Sequence, residues 1–364
     1  MKKTKGGCGV DKKETLAAAL RAAAEFYRQS GRPLPWRRDR EPYHVFLSEI
    51  MLQQTRVEAV IPYYEKFLRL FPTVEALAAT DEDALLKAWE GLGYYSRARN
   101  LRRAAERVVA VYGGRFPASY DELLSLPGVG KYTAGAIASI SFGLPRSAVD
   151  GNALRIYTRL FADGTNTSDE AFKARVTEEL DAAYPTGDDA ACATQGLMEV
   201  GQCFCLPNGA PKCKGCPLSP LCEVGRGNAD HHLYPNKEKR RPRRVLKKTV
   251  LLITDGEGFY IQKRPDSGLL AGLWEFPSAD GHLSSDGAMA AANALGFSAQ
   301  GVLTAVDGKH IFTHLEWHMK GYLVSVSKSS TAGFIRATPE DMEEKYAIPT
   351  AFRTFLDYIK ENQR

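Results

Sequence analysis

Two carboxylates stand in contexts suited to acid chemistry. Glu49 lies in the run Leu47-Ser-Glu-Ile-Met-Leu-Gln-Gln-Thr55, and Asp150 opens Asp150-Gly-Asn152. Between them, Leu126-Pro-Gly-Val-Gly-Lys-Tyr-Thr133 is a glycine-punctuated turn ahead of a helical stretch. A turn of this type presents backbone N–H groups to a phosphate, and Gly128 and Gly130 let that phosphate approach. Two acids beside a phosphate-binding hairpin point to glycosidic bond chemistry on a nucleic acid. Glu49 has Val45, Phe46, Ile50 and Leu52 around it, and apolar neighbours raise a carboxyl's proton affinity. Each motif also has a plainer reading: a surface glutamate, an Asp helix cap, an ordinary link between helices.

Cysteine placement is the third signal. Six of the seven cysteines fall between Cys192 and Cys222, and Cys8 stands alone near the N-terminus. The spacing Cys205-x7-Cys213-x2-Cys216-x5-Cys222 can surround one centre. Structural zinc sites bring two close pairs, and here only Cys213 and Cys216 are close, so an iron–sulfur cluster is favoured over zinc, and zinc over no metal. Cys203 competes with Cys205 as a ligand, and Cys192 reads as a small core residue. Lys212 and Lys214 lie on the same loop, where they can meet phosphates.

The elements that must carry these residues divide into two kinds. To about residue 225 the chain reads as helices joined by short loops. Leu16, Leu20, Ala23, Ala24 and Tyr27 recur at helical spacing before Gly31, and Ser119/Glu122 and Thr167/Glu170 fit capping boxes. Residues 226–247 form a basic linker, with eight Lys or Arg from Lys237 to Lys248. Beyond it the period changes to two: Val250–Ile253 and Phe259–Ile261 flank the turn signal Asp255-Gly256, Ile311–Val326 alternates, and Phe352, Phe355, Leu356 and Ile359 mark a closing amphipathic helix. The expected domains are a flexible tail at 1–12, a helical domain at 13–225 and an α+β domain at 248–364. The net charge of +5 permits a nucleic-acid partner without demanding one. No apolar run reaches membrane-spanning length, which implies a cytoplasmic protein, expected to be a monomer without a membrane partner.

Taken together the motifs resemble the helix-hairpin-helix DNA glycosylases, and among them the adenine-specific family. Pro35-Trp-Arg37, Gly91-Leu-Gly-Tyr-Tyr-Ser-Arg97, Gly268-Leu-Leu-Ala-Gly-Leu-Trp-Glu-Phe-Pro277 and Phe312-Thr-His314 join the acids, the hairpin and the cysteine loop in carrying the likeness. It implies an all-α domain with one 4Fe-4S cluster on Cys205, Cys213, Cys216 and Cys222, followed by a Nudix-like domain. It implies excision of adenine mispaired with 8-oxoguanine or guanine in double-stranded DNA, and hence a nucleoid-associated protein. Glu49 would be the acid, Asp150 the stabiliser of the sugar cation, and Tyr132 and Asn152 their assistants. Arg32, Trp36 and Gln195 would line the adenine pocket. Gln53, Gln54 and Tyr94 would wedge the duplex, Gly128, Gly130 and Lys131 would hold its backbone, and Phe312, Thr313 and His314 would read 8-oxoguanine. Tyr132 stands where strand-cleaving relatives carry a Schiff-base lysine, so a glycosylase without lyase activity is expected. Two departures stand out: the first cysteine gap is seven where the family has six, and Thr313 replaces the usual Ser. Two rivals remain, a Nudix hydrolase and a non-catalytic DNA binder. The first needs metal-binding glutamates before Gly296, where Met289, Ala290, Asn293 and Ala294 stand instead.

Overall fold

The apolar period beginning at Leu16 folds as helix α1 (Lys12–Ser30), capped by Asp11 and ended at Gly31. The computed structural model describes residues 11–238, 242–327 and 331–362, so most of the expected tail, Cys8 included, and residues 239–241 of the linker lie outside the described residues. Ten helices follow in the first part: α2 (Pro42–Leu52), α3 (Val57–Leu70), α4 (Val74–Ala78), α5 (Glu82–Ala88), α6 (Ser96–Tyr112), α7 (Tyr120–Leu124), α8 (Lys131–Phe142), α9 (Gly151–Phe161), α10 (Glu170–Asp181) and α11 (Asp188–Cys203), counted among the described residues. Leu16, Ala19, Leu20, Ala23 and Ala24 form the buried stripe of α1 and share a core with Leu154, Tyr157, Ala193 and Val200. Small residues bring α1 and α11 close. A Cβ on Gly196 would lie 2.1 Å from the Ala23 carbonyl oxygen, a backbone atom that cannot rotate away. Gly196→Ala is therefore expected to cost on the order of 2–3 kcal/mol through overpacking. A thermal melt should show the midpoint several degrees lower, and an unchanged midpoint would contradict this packing.

Short elements place the chemistry-bearing residues. α7 and α8 are joined by the turn through Gly128, whose φ of +75° favours glycine. A Cβ there would also approach Asn100 Cβ to 2.5 Å. Asp150 caps α9, accepting from the backbone N–H groups of Asn152 and Ala153, both at 2.8 Å. Neither expected capping box forms. Asp169 caps α10, and the Thr167 hydroxyl instead donates to the Asn236 carbonyl at 3.1 Å. At α7, Ser119 is the cap residue but its side chain makes no capping bond.

The chain divides into two units, Met1–Ala79 with Asn100–Lys239, and Thr80–Arg99 with Arg240–Arg364. Sequence continuity does not show that residues 80–99 group with the second unit. Lys87 Nζ donates to the carbonyls of Met342 and Tyr346 at 3.1 and 3.0 Å, and Glu90 Oε1 accepts from Ile348 N at 2.9 Å. The second unit is built on a mixed sheet of β1 (Arg244–Thr254), β2 (Phe259–Lys263), β3 (Trp274–Glu275), β4 (Ser278–Asp280), β5 (Ala299–Ile311), β6 (Leu315–Val326) and β7 (Phe334–Ala337). The strand order is β3-β2-β1-β6-β5, with β4 on β1 and β7 on β2, and β1 runs parallel to β6. The alternation of β1 sends Val250 and Leu252 to one face with Phe352, Phe355 and Ile359 of the closing helix. Leu251 and Ile253 go to the other face, against Ala288 and Ala292 of the helix Ser285–Ala294.

Candidate active site

In the first unit, Glu49, Tyr132, Asp150 and Asn152 line one cavity of ≈ 820 Å³, open to solvent. Five separate stretches of chain meet there: residues 34–37, α2 with the turn after it, α8, the cap of α9, and α11. Glu49 is 4% exposed, and its Oε2 is buried without a hydrogen-bond partner. Burial pushes its carboxyl up to about 7, opposed by the Tyr132 hydroxyl and aided by the charge of Asp150. Asp150 also rises above the usual carboxylate range through burial, while its bonds from Ala153 and Asn152 pull it down. The carboxyls of Asp163, Glu179, Glu199, Asp255, Glu316, Asp341 and Glu343 move downward instead, as in ordinary ion pairs. Upward shifts on two acids that share one cavity make it the candidate reactive site.

Asp150 is held from behind. Asn152 Nδ2 donates to its Oδ2 at 2.7 Å, and Arg155 Nη2 donates to Asn152 Oδ1 at 2.8 Å. Arg155 Nε in turn donates to the Cys205 carbonyl at 2.7 Å. The capping and catalytic readings of Asp150 are therefore compatible, since Oδ1 caps α9 while the charge faces the cavity.

Trp36 and Gln195 line the cavity, as the resemblance implies. Tyr27 donates to Gln195 Oε1 at 2.7 Å, leaving the amide nitrogen on the cavity side with only a 3.5 Å contact to the Ala191 carbonyl. Arg32 is not among the lining residues. Its guanidinium meets Glu199 at 2.9 Å and also bonds Gln202. The arginine at the cavity is Arg37, 2.7 Å from the same Glu199 and 7% exposed. The sequence places Arg37 in a motif without a role and gives no sign of Glu199 as its partner. The available signal was an acid at an interior position of α11, which needs a cation once buried.

Gln53 ends α2 and bonds Thr133 Oγ1 at 3.4 Å, which ties α2 to the hairpin helix. Gln54 is exposed with φ +58°. No protein atom stands within 4 Å of where a Gly130 Cβ would be, and Lys131 beside it is exposed, so the N-terminus of α8 is open to a phosphate. In the second unit, Phe312, Thr313 and His314 form the turn between β5 and β6. Phe312 packs edge-on against Trp317 at 5.0 Å and is a packing residue, whereas Thr313 and His314 are exposed. Tyr94, 46% exposed with φ +49°, hydrogen-bonds the Thr313 hydroxyl. Helix Ser285–Ala294 carries Asp286 as its one acidic residue, so the metal site of a Nudix hydrolase cannot be assembled on it.

Cys205, Cys213, Cys216 and Cys222 line an apolar pocket of ≈ 390 Å³. Cys203 is not among its lining residues and points its thiol toward Glu199, which favours Cys205 as the fourth member. Burial pushes the Cys216 thiol up to about 11 and raises those of Cys213 and Cys222, with the neighbouring cysteines adding to the rise. One buried and three half-buried thiols lining one pocket form a donor set for a cationic centre. No three of the sulfurs lie within 4.8 Å of one another. A zinc tetrathiolate with ~2.3 Å bonds would need sulfur separations of roughly 3.8 Å. The donor set therefore fits a polynuclear iron–sulfur centre better than one zinc ion. Arg159 Nη1 donates to Cys205 Sγ at 3.3 Å, a bond suited to a thiolate.

Comparison with known proteins agrees with this geometry. Residues 47–181 match the HhH-GPD superfamily of base excision DNA repair proteins, and residues 249–358 match the NUDIX domain. An adenine DNA glycosylase of Buchnera aphidicola subsp. Baizongia pistaciae is 36% identical over 254 residues, which cover 69% of this chain and 71% of that protein. Adenine DNA glycosylase of Homo sapiens is 36% identical over 310 residues, covering 70% of this chain but 56% of the longer human protein. A thermostable thymine-DNA glycosylase of known structure superposes with a TM-score of 0.52 at 30% identity, over 59% of this chain and 97% of that one. Identity at this level over more than two thirds of the Buchnera protein makes the chain a member of the adenine DNA glycosylase family.

Proposed function

We propose that this adenine-specific glycosylase hydrolyses the N-glycosidic bond of adenine mispaired with 8-oxoguanine, or with guanine, in duplex DNA. The observation that carries the reading is Glu49, a buried acid with a raised proton affinity and an unbonded oxygen in the same cavity as Asp150. Adenine leaves poorly until protonated, and a carboxyl near half-protonation at neutral pH is suited to supply that proton. As the base departs the sugar becomes cationic, and the Asp150 carboxylate opposes that charge from a fixed position. Glu49, then ionised, takes a proton from the attacking water. Asn152 and Tyr132 keep the two acids in place.

The adenine must leave the stack to reach this cavity. Gln53, Gln54 and Tyr94 are assigned to the distorted duplex, and Gly128, Gly130 and Lys131 to the phosphates. Trp36, Gln195 and Arg37 face the extruded base, with Arg32 acting behind Glu199. Thr313 and His314 are the exposed groups for 8-oxoguanine, with Phe312 supporting them. A 4Fe-4S cluster on Cys205, Cys213, Cys216 and Cys222 would supply a structural clamp for the loop that bears Lys212 and Lys214. The protein is taken to act as a monomer on DNA in the cytoplasm. No described helix is long and apolar enough to cross a membrane.

Duplexes holding one A:8-oxoG, A:G or A:T pair, assayed with and without alkali, test the reading. Strand breaks at the adenine of A:8-oxoG that require alkali are expected. Breaks without alkali would show a lyase nucleophile other than Tyr132. No breaks from iron-loaded protein would leave only a DNA binder.

A further inference from the structure

We infer that Asp230, His231 and His232 form a binding site for a single divalent transition-metal ion of the zinc type. These residues follow the cysteine loop within the first unit. One ligand atom from each lies within 4.8 Å of the other two, an arrangement that no other His, Cys, Asp or Glu triad reaches among the described residues. Asp230 Oδ1 stands 3.6 Å from His231 Nδ1. That is beyond hydrogen-bond reach. It is close to the ~3.4 Å separating two ligands of a tetrahedral ion with ~2.1 Å bonds. The two imidazoles lie against each other, with centroids 3.9 Å apart and planes 37° from parallel. His231 Nε2 is sealed from solvent without a partner, so the Nδ1 edge is the one turned to Asp230.

The turn is already held in this shape. Asp230 Oδ1 accepts from His232 N at 2.9 Å. Upstream, Asn228 Nδ2 donates to Glu223 at 3.0 Å, and downstream Arg159 Nε donates to the Tyr234 carbonyl at 3.0 Å. Little chain entropy would be lost on binding, because both flanks are pinned. Two imidazole nitrogens and one carboxylate oxygen suit zinc, nickel, cobalt or copper, whereas magnesium and calcium prefer all-oxygen shells. Exposure of Asp230 and His232 leaves the remaining positions to water. The cysteine set ends at Cys222 and contributes no ligand, so the two centres are independent.

The test uses tag-free, iron-loaded protein treated with a mild chelator, with iron content measured before and after. Calorimetric titration with zinc chloride should show one equivalent bound at micromolar affinity, with iron unchanged. The double variant His231→Ala/His232→Ala should bind at least about tenfold more weakly. Asp230→Asn should weaken binding with both rings intact, and the zinc X-ray absorption spectrum should carry the scattering of two imidazoles. Absence of a stoichiometric site below millimolar zinc would overturn the assignment. So would equal binding by the double variant, or a spectrum with sulfur ligands.

Discussion

Glu49→Gln is expected to lower single-turnover adenine release by at least about 10³-fold while leaving affinity for the A:8-oxoG duplex within a few-fold. The amide matches the carboxyl in size and can sit in the same buried slot, but it cannot deliver a proton. Binding retained with turnover lost separates a catalytic acid from a structural one, and a variant with more than a tenth of the parent rate would remove Glu49 from the mechanism. The pH profile follows from the same group. Glu49 works protonated and is pushed up to about 7, so the rate should fall close to tenfold per unit above that pH. Asp150 works ionised and is also raised, so a second fall belongs on the acid side. Stability carries the same sign. Native Glu49 holds its proton to higher pH than the unfolded chain does, so its contribution is full below the ordinary carboxyl value of 4.5 and is lost as pH rises to about 7. At ~1.4 kcal/mol per unit over the rise from 4.5 to about 7, the always-neutral Gln should be more stable than the parent by roughly 3 kcal/mol at pH 8 and about equal at pH 4. Paired thermal melts at the two pH values measure this.

Asp150→Asn is the second large effect. Asparagine is as good a helix cap as aspartate, so α9 should keep its start. The charge opposing the sugar cation is lost, however, at a cost of about 10²–10³ in rate. The new amide also meets the Asn152 Nδ2 donor that now bonds Oδ2 at 2.7 Å, and two facing donors displace each other at roughly 1 kcal/mol. Folding by circular dichroism should be native and mispair binding retained, with excision nearly absent. Asp150→Ala would add the loss of the cap, lowering the melting midpoint as well. Were Asp150→Asn to excise adenine within tenfold of the parent, the sugar cation would need another anionic partner, and Asp150 would be a cap alone.

How much could be read from residue order differs between features, for physical reasons. Glu49, Asp150 and the cysteine run sit in local motifs legible in the sequence, Tyr132 came from the family likeness, and one cavity gathers Glu49, Tyr132 and Asp150. Trp36 and Gln195 followed from the family likeness and line the cavity too. The pairing of Arg37 with Glu199 was not legible because it joins residues 162 positions apart, and only tertiary structure brings them together. The Thr167/Glu170 spacing misled because Asp169, two residues closer to the helix, wins the cap while Thr167 finds Asn236. The β pattern after residue 248 was legible from its period of two. The grouping of residues 80–99 with that sheet was not, since it rests on Lys87 and Glu90 reaching backbone groups more than 250 positions away. Phe312 shows both sides: its motif reads as a recognition element, and its ring packs edge-on against Trp317.

A neutral carboxyl group absorbs infrared light at a frequency of its own, apart from the band shared by carboxylates. The chain has 43 acidic residues. Glu49 is pushed up to about 7, and Asp150, also raised, has three hydrogen bonds favouring its anion. A difference spectrum between pH 6 and pH 8 should therefore carry one resolved acid carbonyl band from an unlabelled 40.1 kDa protein. The burial that readies Glu49 to donate its proton also gives that proton a vibrational signature, by which the acid can be followed as DNA enters the cavity.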